Sequence, residues 1–113
     1  EPRLVDLACG VCHHLPDVGI ATVGRRKDCE VVVDVPTISA RHCVLFSRGH
    51  GLVELEDVSS NGTFVNSVRL PRGDFVPQRV PLRHGDELAL GDEDGPSFIF
   101  LAPASECLLA AGA

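Results

Sequence analysis

The chain of 113 residues contains no Met, Trp or Tyr and only five Phe. A core with so few large aromatics must be built mainly from Val, Leu, Ile and Ala, with Phe64, Phe75, Phe98 and Phe100 as its large pieces. No run of about 18 apolar residues occurs, which excludes a transmembrane helix, and neither end has the pattern of a signal peptide. The chain starts at Glu1 rather than Met, so the expectation is an excised piece whose targeting information lies elsewhere. Basic residues are also scarce: ten Lys and Arg face sixteen Asp and Glu, for a net charge of −6. That balance argues against a nucleic-acid partner, because affinity for a polyanion rests on Lys and Arg contacts to phosphate. The five cysteines are odd in number and irregularly spaced. They lack the pairing of a secreted disulfide framework and fit reduced thiols inside a cell, without deciding between nucleus and cytoplasm.

What is present points to strands. Eleven Gly and eight Pro accompany abundant Val, a composition that favours strands and turns over long helices. Short apolar or alternating runs recur at Leu4 to Ala8, Ala21 to Val23, Val31 to Val33, Cys43 to Phe46, Leu52 to Leu55, Thr63 to Val65, Glu87 to Leu90 and Ser97 to Leu101. The segment Leu52-Val53-Glu54-Leu55-Glu56 alternates apolar and acidic residues, as a strand with one wet face should. Many short strands at this spacing predict an all-β sandwich or barrel. A chain of this length suits one domain, placed at residues 1–104. Ala and Leu in 105–113 allow a short helix, whereas the terminal position favours a frayed tail.

Between the runs lie Gly24-Arg25-Arg26-Lys27-Asp28, Pro36-Thr37-Ile38-Ser39, Gly49-His50-Gly51, Ser59-Ser60-Asn61-Gly62 and Arg83-His84-Gly85-Asp86, all rich in turn formers. Asn61-Gly62 is a strong signal for a type I′ hairpin turn. Arg25, Arg26 and Lys27 form the one dense basic cluster, so an anionic ligand should go there. Guanidinium forks, hydroxyls and exposed backbone N–H groups complement an anion best when tight loops hold them still. Arg25 follows Gly24 at a strand end, Ser39 and Arg41 precede Cys43, and Ser60 with Asn61 occupies the next turn.

Other chemistries can be written down. Cys9-Gly10-Val11-Cys12-His13 has the form of a c-type haem attachment sequence, yet it falls in a first strand or the turn after it, with no helical pocket for haem. Zinc could take Cys9, Cys12 and His13 or His14, but a fourth ligand requires Cys29 or Cys43 to approach in space. Those two cysteines are more simply small buried apolar residues. Ser39, His42 and Asp57 spell a hydrolase triad without the Gly-x-Ser-x-Gly elbow. Asp92-Glu93-Asp94-Gly95 lacks the calcium-loop pattern and fits a solvated turn. The expectation is therefore no cofactor, no metal and no catalysis.

One ordered set is more specific than any of these. Gly24-Arg25, then Ser39-Ala40-Arg41-His42, then Asp57-Val58-Ser59-Ser60-Asn61-Gly62-Thr63-Phe64-Val65-Asn66, then Gly85-Asp86-Glu87-Leu88 resembles the signature of forkhead-associated (FHA) domains, across about Thr22 to Phe100. The resemblance implies a sandwich of two sheets and about eleven short strands, with the sheets roughly 30° apart and the binding loops at one end. It implies a non-catalytic module that binds phosphothreonine in partner proteins, joining them in a phosphorylation-dependent way. Arg25 and Ser39 would hold the phosphate, Ser60 would add a hydroxyl, and Arg41 would be a further cation. Asn61 would hydrogen-bond the ligand backbone beside the phosphothreonine. Gly24, His42, Gly62 and Asn66 would be scaffold, and Thr37 would border the pocket for the third residue after the phosphothreonine. Ala40 stands where some relatives carry a polar contact, which places more weight on Arg41 and backbone N–H groups. The ligand's γ-methyl would fill an apolar niche worth ~1 kcal/mol over phosphoserine. A phosphate-independent interaction or dimerisation module on a side face of the same sandwich is the alternative; oligomeric state, partner and kinase are left open.

Overall fold

The computed structural model describes residues 1–71, 76 and 78–103. The elements that lie wholly among them are strands: β1 (Arg3–Asp6), β2 (Cys12–His14), β3 (Val18–Gly24), β4 (Val31–Val32), β5 (Cys43–Arg48), β6 (Val53–Asp57), β7 (Thr63–Val65), β8 (Val68–Arg69), β9 (Arg79–Pro81), β10 (Glu87–Leu90) and β11 (Ser97–Leu101). They form a six-stranded sheet in the order β2-β1-β11-β10-β7-β8 and a five-stranded sheet in the order β4-β3-β5-β6-β9. All neighbours are antiparallel except β3 and β4. The eleven strands in two sheets match the expected sandwich. Phe75 and residues 105–113, assigned from sequence to the core and to a tail or helix, lie outside the described residues.

Period-two alternation places the core between the sheets. Val53, Leu55 and Asp57 of β6 are buried while Glu54 and Glu56 are less so. Phe98 and Phe100 of β11 meet Leu4, Leu88 and Leu90 from the six-stranded sheet and Val23, Leu45 and Leu55 from the other. Each large apolar side chain so buried contributes roughly 1.5–3 kcal/mol. Phe64 is only half-buried. Three strands carry too little apolar signal to be read from sequence: β2 is Cys-His-His, β8 is Val-Arg and β9 is Arg-Val-Pro. They form because a paired edge accepts them.

One turn expectation is corrected. Asn61-Gly62 is not a hairpin turn, because β6 and β7 belong to different sheets and only Gly62, at φ +100°, has a positive φ there. The two-residue hairpin of this region is Asn66-Ser67, at φ +50° and +69°, which closes β7 onto β8 with Val65 opposite Val68. Buried side chains capture the Asn61-Gly62 corner instead. Ser59 Oγ accepts from the Gly62 N–H and Asp57 Oδ1 from the Ser59 N–H just before the corner, a competition that a dipeptide signal does not register.

Candidate functional site

The chain following β3 and the chain preceding β5 run side by side past the ends of those strands. His42 N–H donates to Val23 O at 2.8 Å, Arg25 N–H to Ser39 O at 3.0 Å and Arg26 N–H to Ala40 O at 3.2 Å, prolonging the β3–β5 pairing into the loops. This approach requires Gly24. A Cβ there would collide with the backbone of Ala40 and Arg41. Arg25 is thereby locked beside Ser39, while its exposed guanidinium makes a long contact from Nη1 to Pro36 O at 3.5 Å.

The turn between β6 and β7 joins this pair. Ser60 N–H donates to Ser39 Oγ at 3.0 Å, so the Ser39 hydroxyl accepts from protein and keeps its own proton for a ligand. Asn61 Nδ2 donates to Thr37 O at 2.8 Å, and its carbonyl oxygen has no protein partner among the described residues. Ser60 and Asn61 are exposed, whereas Gly62 beside them is buried. A fourth loop enters through Gly91, whose N–H donates to Gly62 O at 2.8 Å and whose α-carbon faces the Thr37 carbonyl. The structure therefore brings together Arg25, Thr37, Ser39, Ser60 and Asn61.

Two buried groups hold the cluster still. His42 is fully buried; its Nδ1 accepts from Ser39 N–H at 3.2 Å and its Nε2 donates to Gly62 O at 2.8 Å. Burial pushes its pKa below the ordinary histidine value, against opposing effects of the Gly62 hydrogen bond and the Asp57 charge. Neutral His42 is required here, since an imidazolium would aim a second N–H at that of Ser39. Both ring nitrogens are committed to backbone and neither reaches Ser39 Oγ, so the hydrolase reading has no nucleophile–base pair.

Asp57 is the second brace. Its Oδ1 accepts from Ser59 N–H at 3.1 Å, Ser59 Oγ at 2.5 Å and Thr63 Oγ1 at 2.9 Å, and Ser59 Oγ in turn accepts from Gly62 N–H at 2.8 Å. This buried network gives the turn its shape and presents Ser60 N–H and Asn61 outward. Sequence reasoning assigned it no role, although Asp-x-Ser spacing is itself an Asx-turn signal. Gly62 at φ +100° completes the corner in a backbone conformation that favours glycine, with the Arg69 guanidinium packed beside it.

Two other expected residues sit apart. Asn66 occupies the β7–β8 hairpin, where Nδ2 donates to Asp86 Oδ1 and Oδ1 accepts from Glu87 N–H, both at 3.0 Å. It ties that hairpin to the start of β10, and so explains why Asn66 and Asp86-Glu87 occur in one signature. Arg41 is exposed and lines a recess of about 140 Å³ with Thr22, Arg26, Asp28 and Cys29. At the other extreme of the chain, Cys9 and Cys12 are exposed, and Cys12 Sγ lies 3.9 Å from His14 Nε2. Cys29 and Cys43 are buried elsewhere, and no cluster of three metal-ligating side chains occurs among the described residues. Burial, aided by nearby acidic charge, pushes both buried thiols above the ordinary range.

The family model described as "FHA domain" matches residues 21–91, more than half of the chain. A probable serine/threonine-protein kinase, fhkA of Dictyostelium discoideum, is 33% identical over 99 residues, covering 78% of this chain and 16% of the kinase. Transcription factor 19 of Sus scrofa is 47% identical over 82 residues, covering 66% of this chain and 22% of that protein. The chain thus spans only about a sixth to a quarter of such relatives. Among solved structures, Mycobacterium tuberculosis EmbR in complex with a low-affinity phosphopeptide superposes with a TM-score of 0.74 at 26% identity, covering 89% of this chain and 24% of EmbR. A domain from a structural and functional analysis of phosphothreonine-dependent FHA interactions gives the same TM-score and identity, over 88% of this chain and 94% of its own.

Proposed function

This chain belongs to the FHA domain family, and on that premise we propose that it binds phosphothreonine-containing segments of partner proteins and itself catalyses nothing. The observation that supports this most is the convergence of Arg25, Ser39 and Ser60 N–H on one braced surface. A phosphothreonine carries about −1.5 to −2 charge and three acceptor oxygens. The Arg25 guanidinium supplies charge and a donor fork, and the Ser39 hydroxyl supplies a proton whose direction is set by the incoming Ser60 N–H. The exposed Ser60 hydroxyl adds a donor. Asn61, tethered to Thr37, offers its amide oxygen to the ligand backbone, which fixes peptide direction without selecting a side chain. Thr37 brings no charge to its flank of the site, so no acidic preference arises from it.

The loops are ordered by folding, which leaves the extended peptide to bear most of the entropy cost of binding. Binding should be modest in strength and weakened by salt. Inside a cell the domain would follow kinase activity on its partner, in keeping with the kinases among its relatives. A second reading, phosphate-independent docking on a side face, is favoured by the exposed Val18 and Ile20 beside Phe46 on the outer five-stranded sheet.

Calorimetric titration against a phosphothreonine peptide library, with phosphoserine and unphosphorylated controls, tests the reading. Arg25→Ala should weaken binding by about 2–3 kcal/mol, on the order of 100-fold, as expected for losing hydrogen bonds to a charged group. Phosphothreonine should exceed phosphoserine about fivefold, the worth of one buried methyl. No binding by the folded domain to any library member, or binding indifferent to phosphate, would transfer the assignment to the side face.

A further inference from the structure

Arg25 and Arg26 are consecutive, yet their side chains serve different places. Arg25 reaches toward Pro36 O, whereas Arg26 lines the recess with Thr22, Asp28, Cys29 and Arg41. The two places share one backbone ladder, since Arg25 N–H pairs with Ser39 O and Arg26 N–H with the next carbonyl, that of Ala40. Thr37 and Arg41 stand on either side of Ser39 in the same loop. The recess thus adjoins the Arg25–Ser39 site along that ladder, on the Arg41 side of Ser39.

The recess has the chemistry of an anion site. Arg26 and Arg41 line it with one carboxylate, Asp28, and a second, Glu30, lies at its edge on the Thr22 backbone, in a protein whose net charge is −6. Arg41 makes no ion pair with any described residue. Arg26 is paired with Asp28 at 3.0 Å, both side chains being more than half exposed, and such surface pairs are worth little and exchange readily. The Thr22 hydroxyl is at hand as a donor, while its N–H is committed to Glu30 Oε2 at 2.6 Å. Cys29 is held neutral by burial and by the Asp28 charge, so it adds no repulsion, and its Sγ contacts Ala40 O at 3.5 Å. A volume of about 140 Å³ is many times what one water requires. Displacing Asp28 from Arg26 favours a phosphate, which carries more charge and more acceptor oxygens than a carboxylate.

We propose that the recess lined by Thr22, Arg26, Asp28, Cys29 and Arg41 is a second anion site, which takes a second phosphorylated side chain of the same peptide. This rests on the phosphothreonine reading of the Arg25–Ser39 site and extends it: the domain discriminates between singly and doubly phosphorylated segments. Arg26 and Arg41 clamp the second phosphate, Thr22 donates to it, and Asp28 is the internal carboxylate it replaces.

The test is calorimetric titration of the 113-residue chain with a phosphothreonine peptide and with a set carrying, in addition, phosphoserine at each of the four positions on either side. Aspartate at the same positions separates phosphate from carboxylate. The second phosphate should raise affinity about tenfold at one or two spacings, aspartate much less. Arg26→Ala should abolish the gain, leaving affinity for the singly phosphorylated peptide within about threefold, while Lys27→Ala keeps the gain. No gain at any spacing, or a gain at all spacings that survives Arg26→Ala, would overturn the inference and leave the first site standing. Failure of the singly phosphorylated peptide itself would instead overturn the premise.

Discussion

Two regions of this molecule carry a dense set of polar residues with chemical potential, and they are built in opposite ways. At the loop end, Arg25, Ser39, Ser60 and Asn61 are displayed on backbone held from behind by buried His42 and Asp57. At the β1–β2 hairpin, Cys9, Cys12 and His14 are themselves exposed; the contact between Cys12 and His14 is 3.9 Å, and His14 otherwise pairs with Glu1 at the surface. The difference teaches that residue type does not make a site. Exposed donors become a receptor when a second, buried set of polar groups fixes them, because ordering costs are then met in folding rather than in binding.

If that contrast is right, the largest single effect comes from the hidden brace. Asp57→Ala removes the acceptor of three hydrogen bonds inside the core, two from Ser59 and one from Thr63. About 3 kcal/mol of stability should be lost, given roughly 0.5–1.5 kcal/mol for each of the three hydrogen bonds. Urea unfolding measures it. Conditions where the variant is still folded should also show weakened phosphopeptide binding, since Ser60 N–H and Asn61 lose their frame. A loss below 1 kcal/mol would mean that the loops order themselves without the network.

The next effect is smaller and depends on pH. His42 resists protonation in the folded state because it is buried, whereas the unfolded chain takes up that proton near the ordinary value of 6.5. Below that pH the unfolded state binds more protons, so stability is fully present above about 6.5 and declines as pH falls toward the depressed folded value. Urea midpoints at pH 7.5 and pH 5.5 should show a drop in the native protein that is reduced in His42→Gln, which cannot titrate. Equal pH dependence in both proteins would assign the drop to other groups and remove His42 as a pH-sensitive brace.

The same contrast governs what the sequence disclosed. Exposed functional residues sit in runs that have a recognisable order, and alternation such as Leu52 to Glu56 locates strands without any structure; the sandwich was legible for that reason. The short edge strands β2, β8 and β9 were not, because their formation depends on a neighbouring strand offering unpaired groups. Neither was the Asn61-Gly62 corner, where a dipeptide preference is overridden by the buried acceptors Asp57 and Ser59. Arg41 was read as a further cation beside Ser39, and the structure places it on the recess with Arg26. Spacing reveals which residues are near one another in sequence; which way each one points is decided by packing.

The smallest effect belongs to the hairpin. Replacing Cys9 and Cys12 together with Ser changes two exposed side chains on a turn and an edge strand, so unfolding should shift by less than about 0.5 kcal/mol and phosphopeptide affinity should not move. Addition of zinc chloride sharpens the comparison, because a ligand held by the native state stabilises it in proportion to RT ln(1 + [L]/Kd). Among the described residues no three metal-ligating side chains gather, Cys12 lying near His14 and His14 near Glu1, so zinc at tens of micromolar should leave the melting temperature of the native protein unchanged. A rise that the double variant lacks would show the hairpin closing around a cation with Cys9 as a recruited ligand. The loop end would then no longer be the one region whose exposed chemistry is backed by organised structure.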